Sequence, residues 1–188
     1  MDAFLISTAV IFVAELGDKS QLMALTFATR FKTIPVLVGI TIATASVHAV
    51  SGFIGAAHGP AIPTRPVTIA AAVAFVGFGL WTLRGDELTT DDKARAAAIP
   101  ARHAVMAVGT VFFLAELGDK TMLATVTLAT RESLFGTWLG STVGMIAADA
   151  LAIVAGRQLG TRLPDGTIRI GAAVAFFAFA AVLLIEAL

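Results

Sequence analysis

The sequence predicts an all-α integral membrane protein of six transmembrane helices, arranged as two three-helix repeats of inverted topology. Three observations carry that prediction: an apolar composition, six apolar stretches of spanning length, and a match of the chain to itself at a shift of 101 positions. Of the 188 residues, 57% are apolar and 14% charged, with a mean hydropathy of +0.89, whereas a soluble domain is roughly 45–50% apolar. Formal net charge is zero, so no overall field points to nucleic acid as a partner. Cysteine is absent, which excludes disulfides, thiolate metal sites and cysteine nucleophiles.

A spanning helix needs about 20 predominantly apolar residues, and Gly, Pro and charge divide the chain into six such pieces, at 3–28, 34–57, 67–84, 103–129, 134–156 and 168–187. The first follows an acidic Asp2, where a signal peptide carries positive charge, and is too long for a signal core, so it is expected to stay. Arg30 to Thr33 separates it from the second, whose run ITIATASVHAV is continuously apolar; a barrel strand would be about 10 residues of alternating polarity. The segment GPAIPTRP, with three prolines, leads to the third, which contains IAAAVAFVGFGLW and ends at Arg84. The linker that follows, RGDELTTDDKARAAAIP, mixes acids and bases as solvated surface does. It divides the chain into a first repeat at 1–84, a linker at 85–101 and a second repeat at 102–188. In the second repeat the short RES segment separates the fourth and fifth spans, and Arg157 to Thr167 separates the fifth and sixth.

The shift pairs Phe12–Leu83 with Phe113–Leu184 without a gap, and roughly a third of the aligned positions are identical. Gly39 falls on Gly140, Gly55 on Gly156, Pro63 on Pro164, and AAVAF at 71–75 on AAVAF at 172–176. Three spans per copy is odd, so the second copy enters the membrane from the opposite face. The basic residues agree, because cytoplasmic loops carry an excess of Lys and Arg. With both termini on one side, the opposite side holds Arg30, Lys32, Arg84, Lys93, Arg95, Arg102, Arg157, Arg162 and Arg169, and the terminal side only Arg65 and Arg131. A multi-pass protein of the plasma membrane, with both termini outside and the linker in the cytoplasm, is expected. Trp81 and Trp138 fall near span ends, where interfacial indoles are common.

The first and fourth spans each contain a charged motif, AELGDKS at 14–20 and AELGDKT at 115–121. On a continuous helix Glu15, Asp18 and Lys19 share one face, with β-carbons about 5–6 Å apart. Gly17 costs about 1 kcal/mol relative to alanine and suits either close helix approach or a local unwinding that presents carbonyl oxygens. A loop is the alternative, but the flanks at 3–14 and 22–28 are each too short to span. Six charged side chains at span centres cost roughly 15–21 kcal/mol at 2.5–3.5 each, above a typical folding stability of about 5–15 kcal/mol. They must be paired, protonated, hydrated or neutralised by an ion. The four acids Glu15, Asp18, Glu116 and Asp119 exceed Lys19 and Lys120 by two charges, a deficit met by one divalent cation or two protons. Carboxylate oxygens suit Mg, Ca or Mn, whereas zinc and copper recruit Cys or several His; His48 is the one histidine in the interior of a span. Neighbouring carboxylates disfavour one another's ionisation, so such a cluster is suited to exchanging a cation for protons. Inverted repeats with a midplane site are the architecture of many secondary transporters.

The doubled motif E-x-G-D-K-[ST], Glu15-Leu16-Gly17-Asp18-Lys19-Ser20 and Glu116-Leu117-Gly118-Asp119-Lys120-Thr121, resembles that of the transmembrane protein 165 family of divalent cation/proton exchangers, a branch of the lysine-exporter-like superfamily. The resemblance covers essentially the whole chain. It implies exchange of manganese, or of calcium in some members, for protons, with the motif acids as cation ligands and the metal as substrate rather than cofactor. For bacterial relatives it implies removal of manganese from the cytoplasm.

Other residues are secondary candidates. The shift places His48 on Asp149, one ionisable group at the same depth of each second span, as a proton relay or auxiliary ligand or as a hydrogen-bonded packing residue. Ser20, Thr121 and Gln21 follow the acids and offer ligand oxygens or cap a helix break. Lys19 and Lys120 are expected to pair with the acids when no ion is bound. The 17 glycines and many alanines read as helix packing. Competing readings are an exporter of small organic cations or amino acids, an intramembrane enzyme acting on lipid phosphates, and a scaffold. Against the enzyme stand the lack of a phosphate-binding glycine loop and of an Arg cluster at membrane depth; a scaffold leaves six buried charges without purpose.

Overall fold

Long apolar runs without turn signals fold as helices, and helices are what the computed structural model contains among the residues it describes, 2–58, 64–84, 103–159 and 165–187. The expected linker at 85–101 lies outside the described residues. The first repeat contributes α1 (Asp2–Glu15), α2 (Lys19–Arg30), α3 (Thr33–His58) and α4 (Thr64–Arg84). The second contributes α5 (Ala104–Glu116), α6 (Lys120–Ala129), α7 (Leu134–Leu159) and α8 (Asp165–Ala187). Pro35 and Pro66 sit in the first turns of α3 and α4, where the missing N–H has no intrahelical partner to lose; α4 therefore starts at Thr64, ahead of the expected 67.

The stretches expected as first and fourth spans are each two helices meeting at the charged motif. Both pieces of each pack on an unbroken helix of the other repeat: α1 and α2 contact α7, and α5 and α6 contact α3. At 1.5 Å per residue a 26-residue helix such as α3 or α7 is about 39 Å long, enough to back two half-length helices in succession. α4 and α8 pack on each other.

Small residues set these approaches. A Cβ added to Gly140 of α7 would lie 2.4 Å from the Phe4 carbonyl of α1 and 3.0 Å from Ser7 Cβ; one added to Gly39 of α3 would lie 2.7 Å from the Val105 carbonyl of α5 and 3.0 Å from Val108 Cβ. Each residue in the second set is its counterpart in the first moved by the repeat shift. The aromatic contacts are also reciprocal. Phe75 stacks on its own counterpart Phe176 at 6.0 Å between ring centroids, while Phe75–Phe179 and Phe78–Phe176, at 6.2 and 5.9 Å, are counterpart pairs.

Two apolar clusters make up the core, one of Phe27, Ile40, Val108 and Phe112 with their neighbours, the other of Ile11, Phe75, Met145 and Phe176 with theirs. The interior is also polar: Glu15, Asp18, His48, Glu116, Lys120, Thr121, Ser141 and Asp149 are all buried. Outside, large apolar side chains are exposed, among them Phe53 at 68%, Met106 at 75% and Ile185 at 74%. Large apolar side chains outside and ionisable ones inside are the distribution expected of a bilayer-facing protein. Thr33–Ala57 and Leu134–Ala155 are long and apolar enough to cross a membrane, and Ala72–Arg84, Ala104–Glu116 and Phe176–Ile185 are shorter apolar helices. Trp138, near the start of α7, donates its Nε1 to the Ala45 carbonyl of α3 at 2.9 Å; Trp81 is exposed.

Candidate functional site

The motif glycines end the helices. Gly17 takes φ 74° and Gly118 φ 80°, a left-handed conformation that costs other L-residues about 1–2 kcal/mol. The Asp18 N–H then donates to the Glu15 carbonyl at 3.1 Å and the Asp119 N–H to the Glu116 carbonyl at 3.2 Å, closing the turns. Glu15, Asp18 and Lys19 therefore do not share one face of a continuous helix; they bracket a break. Glu15 and Glu116 are the last residues of α1 and α5, at the helix end whose dipole favours a cation. Asp18 and Asp119 hold the N-cap positions of α2 and α6 with extended backbone and no side-chain capping bond, at the end that favours an anion.

The two breaks meet. The Lys120 ammonium forms an ion pair with Asp18 Oδ1 across the repeats, both side chains buried. Glu15 lies within electrostatic reach of Glu116, Asp18, Asp149 and Lys120; Glu116 of Asp119, Asp18 and Asp149; Asp119 of Asp18 and Lys120. The four motif acids and Asp149 are thus electrostatically linked in one region of the interior. Among the described residues, no group of three or more His, Asp or Glu side chains stands close enough to form a ready ligand set for a metal ion.

Hydroxyls occupy one side of each glutamate. Ser20 Oγ donates to Glu15 Oε1 and also lies 3.1 Å from Asp18 Oδ2. One hydroxyl carries one proton, so the two acids share a single donor. Thr121 Oγ1 donates to Glu116 Oε2 at 2.9 Å. Glu15 Oε2, Asp119 Oδ2 and both oxygens of Asp149 are buried with no hydrogen-bond partner. Unpartnered buried oxygens are costly in a native protein, and here they are what a cation or protons would satisfy.

The repeats differ at the breaks. Gln21 accepts from the Gly17 N–H at 2.8 Å and donates to the Ala148 carbonyl at 2.9 Å, tying the first break to α7. Its counterpart Met122 offers the Gly118 N–H only a sulfur, at 3.1 Å. Leu117 and Gly118 are exposed where Leu16 and Gly17 are half-buried, and Lys120 is buried where Lys19 is half-buried. His48, buried in α3, sits 3.5 Å by its Nδ1 from Thr142 Oγ1 of α7, which already donates to the Trp138 carbonyl at 2.8 Å. The imidazole is thus placed against a hydroxyl, whereas its counterpart Asp149 belongs to the acid cluster. Thr142 was not among the sequence candidates, although the shift repeats it as Thr41.

An apolar exterior around a cluster of ionisable side chains defines a helical membrane protein built to handle charge in its interior. Comparison with known proteins gives the particular kind. The profile of the family described as "Divalent cation/proton antiporter GDT1" matches residues 3–90 and 104–188, and the chain belongs to that family, as its doubled motif implies. It is 31% identical over 172 residues to a "Putative manganese exporter" of Vibrio cholerae, covering 90% of this chain and 84% of the relative. It is 28% identical over 199 residues to a GDT1-like protein of Synechocystis, covering 97% and 96%. With the chloroplastic protein PAM71 of Arabidopsis thaliana it shares 30% over 203 residues, covering 94% of this chain and 55% of that one. No solved structure matches the chain.

Proposed function

We propose that the chain exports manganese from the cytoplasm in exchange for protons, with Glu15, Asp18, Glu116 and Asp119 as the cation ligands. The observation that carries this reading is the convergence of both motifs and Asp149 in one buried cluster whose formal charge, with one buried lysine, calls for a cation. A hard divalent ion is the chemical match for carboxylate and hydroxyl oxygens, and the name of the Vibrio relative favours manganese over calcium. Ser20, Thr121 and Gln21 hold the ligands and the first break. Asp149 acts as the proton-coupling acid, with His48 beside Thr142 in the auxiliary place.

In this reading the halves 1–84 and 102–188, joined by a linker at 85–101, form six spans of inverted topology in the plasma membrane, with termini outside and linker in the cytoplasm. The reciprocal contacts of Gly39 and Gly140 and the pairing of Phe75 with Phe176 support two halves related by exchange. So does the contact of Thr44 with its counterpart Met145 at 3.4 Å. Rocking of the halves opens the cluster to one face and then the other, and protons binding the same acids release the metal outside.

The test is Mn²⁺-driven proton movement in liposomes. Wild-type protein exchanges, while Glu15→Gln and Glu116→Gln are folded and inactive. Wild-type turnover in either variant would remove that acid from the mechanism, and lack of exchange by the wild-type protein would reject the reading as a whole.

A further inference from the structure

The motif lysines hold equivalent sequence positions but different structural ones. Lys120 is buried on Asp18. The counterpart of that contact, Lys19 on Asp119, is not formed: Lys19 is half-buried and Asp119 Oδ2 has no hydrogen-bond partner. The same inequality runs through the surroundings, since the first break is covered and pinned by Gln21 to Ala148 while Leu117 is 49% exposed at the second. Both copies carry the identical run AELGDK. An arrangement with the roles of the repeats exchanged would therefore place Lys19 on Asp119, release Lys120, cover the second break and open the first.

We infer that Lys120 and Lys19 are alternating counter-ions, Lys120 holding Asp18 in the state described and Lys19 holding Asp119 in the opposite-facing one. Each is a positioning residue. A divalent ion arriving at the cluster displaces the resident lysine from its aspartate and leaves neither state favoured by an ion pair, so the carrier is free to turn over. This rests on the proposed exchange by two related halves and adds which side chain holds each state shut.

The chain has no cysteine, so a single reporter thiol at Leu117→Cys or at Leu16→Cys reads how exposed each break is, by its rate of maleimide labelling in detergent. In this state the thiol at 117 reacts faster than the thiol at 16. Lys120→Met is expected to shift the ratio of the two rates toward 16, and Lys19→Met to shift it further toward 117, each by about tenfold, within the usual range of conformational coupling. Because Lys120→Met strands a buried carboxylate, the charge-free pairs Asp18→Asn with Lys120→Met and Asp119→Asn with Lys19→Met are measured alongside; they are expected to shift the ratio in the same opposed directions. Shifts in one common direction, or an unchanged ratio in the charge-free pairs, overturn the inference. Wild-type liposomes assayed for Mn²⁺/proton exchange separate the two failures: exchange without opposed shifts rejects the alternating lysines alone, and opposed shifts without exchange reject the transport reading and leave the lysine pairing standing.

Discussion

Thr121 Oγ1 donates to Glu116 Oε2 across the break between α5 and α6 at 2.9 Å, and Ser20 makes the corresponding bond to Glu15 across the break between α1 and α2. A hydrogen bond to a charged group is worth about 1.5–3 kcal/mol, and each of these hydroxyls occupies one oxygen of its glutamate. Thr121→Val keeps the shape and removes the donor. Its apparent affinity for Mn²⁺ in liposomes is expected to fall about tenfold, the equivalent of about 1.4 kcal/mol, and Thr121→Ser to restore it. An unchanged KM in Thr121→Val would make the hydroxyl structural only.

Gly118 separates backbone cost from crowding. A Cβ there meets nothing within 4 Å, and φ is +80°, so Gly118→Ala carries only the left-handed penalty of about 1–2 kcal/mol. Asparagine tolerates that conformation better, and Gly118→Asn should be the milder change. Thermal unfolding in detergent ranks the two; equal losses would mean that the turn relaxes to another conformation.

Asp149 is buried with both oxygens unpartnered, and Glu15, Glu116 and Asp18 all lie within its electrostatic reach. At an effective dielectric constant of about 20, two unit charges about 4 Å apart interact by about 4 kcal/mol, and the energy falls off inversely with distance. Asp149→Asn is therefore expected to weaken Mn²⁺ binding by at least about tenfold and to flatten the dependence of transport on the proton gradient. Isothermal titration and flux at two gradients check both. If the carboxyl only packs, affinity and gradient dependence stay at wild-type values.

Much of this architecture is written in the chain as period and charge. Unbroken apolar runs gave α3 and α7 to within a few residues, and the repeat shift picked out His48 and Asp149 as one ionisable group at the same depth of each second span. The breaks at Gly17 and Gly118 were harder to read, because a glycine tolerated inside a helix and one in a left-handed turn differ locally by about 1 kcal/mol. What accompanies the break is tertiary: both pieces lie along one helix of the other repeat, and Gln21 bonds a carbonyl 127 positions away. Lys19 and Lys120 sit in identical local sequence, so no local signal separates the buried lysine from the half-buried one. Trp138 has the position of an interfacial anchor but a partner in α3, which only the packing of α3 against α7 supplies.

That packing gives a test in counterpart pairs. Gly140→Ala would push a methyl to 2.4 Å from the Phe4 carbonyl, and Gly39→Ala one to 2.7 Å from the Val105 carbonyl. Both neighbours are backbone that cannot rotate away, so helices must separate, at a cost typical of overpacking, about 1–3 kcal/mol. Gly77 and Gly171 are controls, since a Cβ at either meets nothing within 4 Å; alanine there gains helix propensity of up to about 1 kcal/mol. The expected order of thermal stability in detergent is Gly77→Ala and Gly171→Ala at or above wild type, with Gly39→Ala and Gly140→Ala below it by similar amounts. A loss at Gly140 without one at Gly39 would mean that α1 on α7 and α5 on α3 are not equivalent contacts, and the description of the two repeats as exchangeable halves would fail with it.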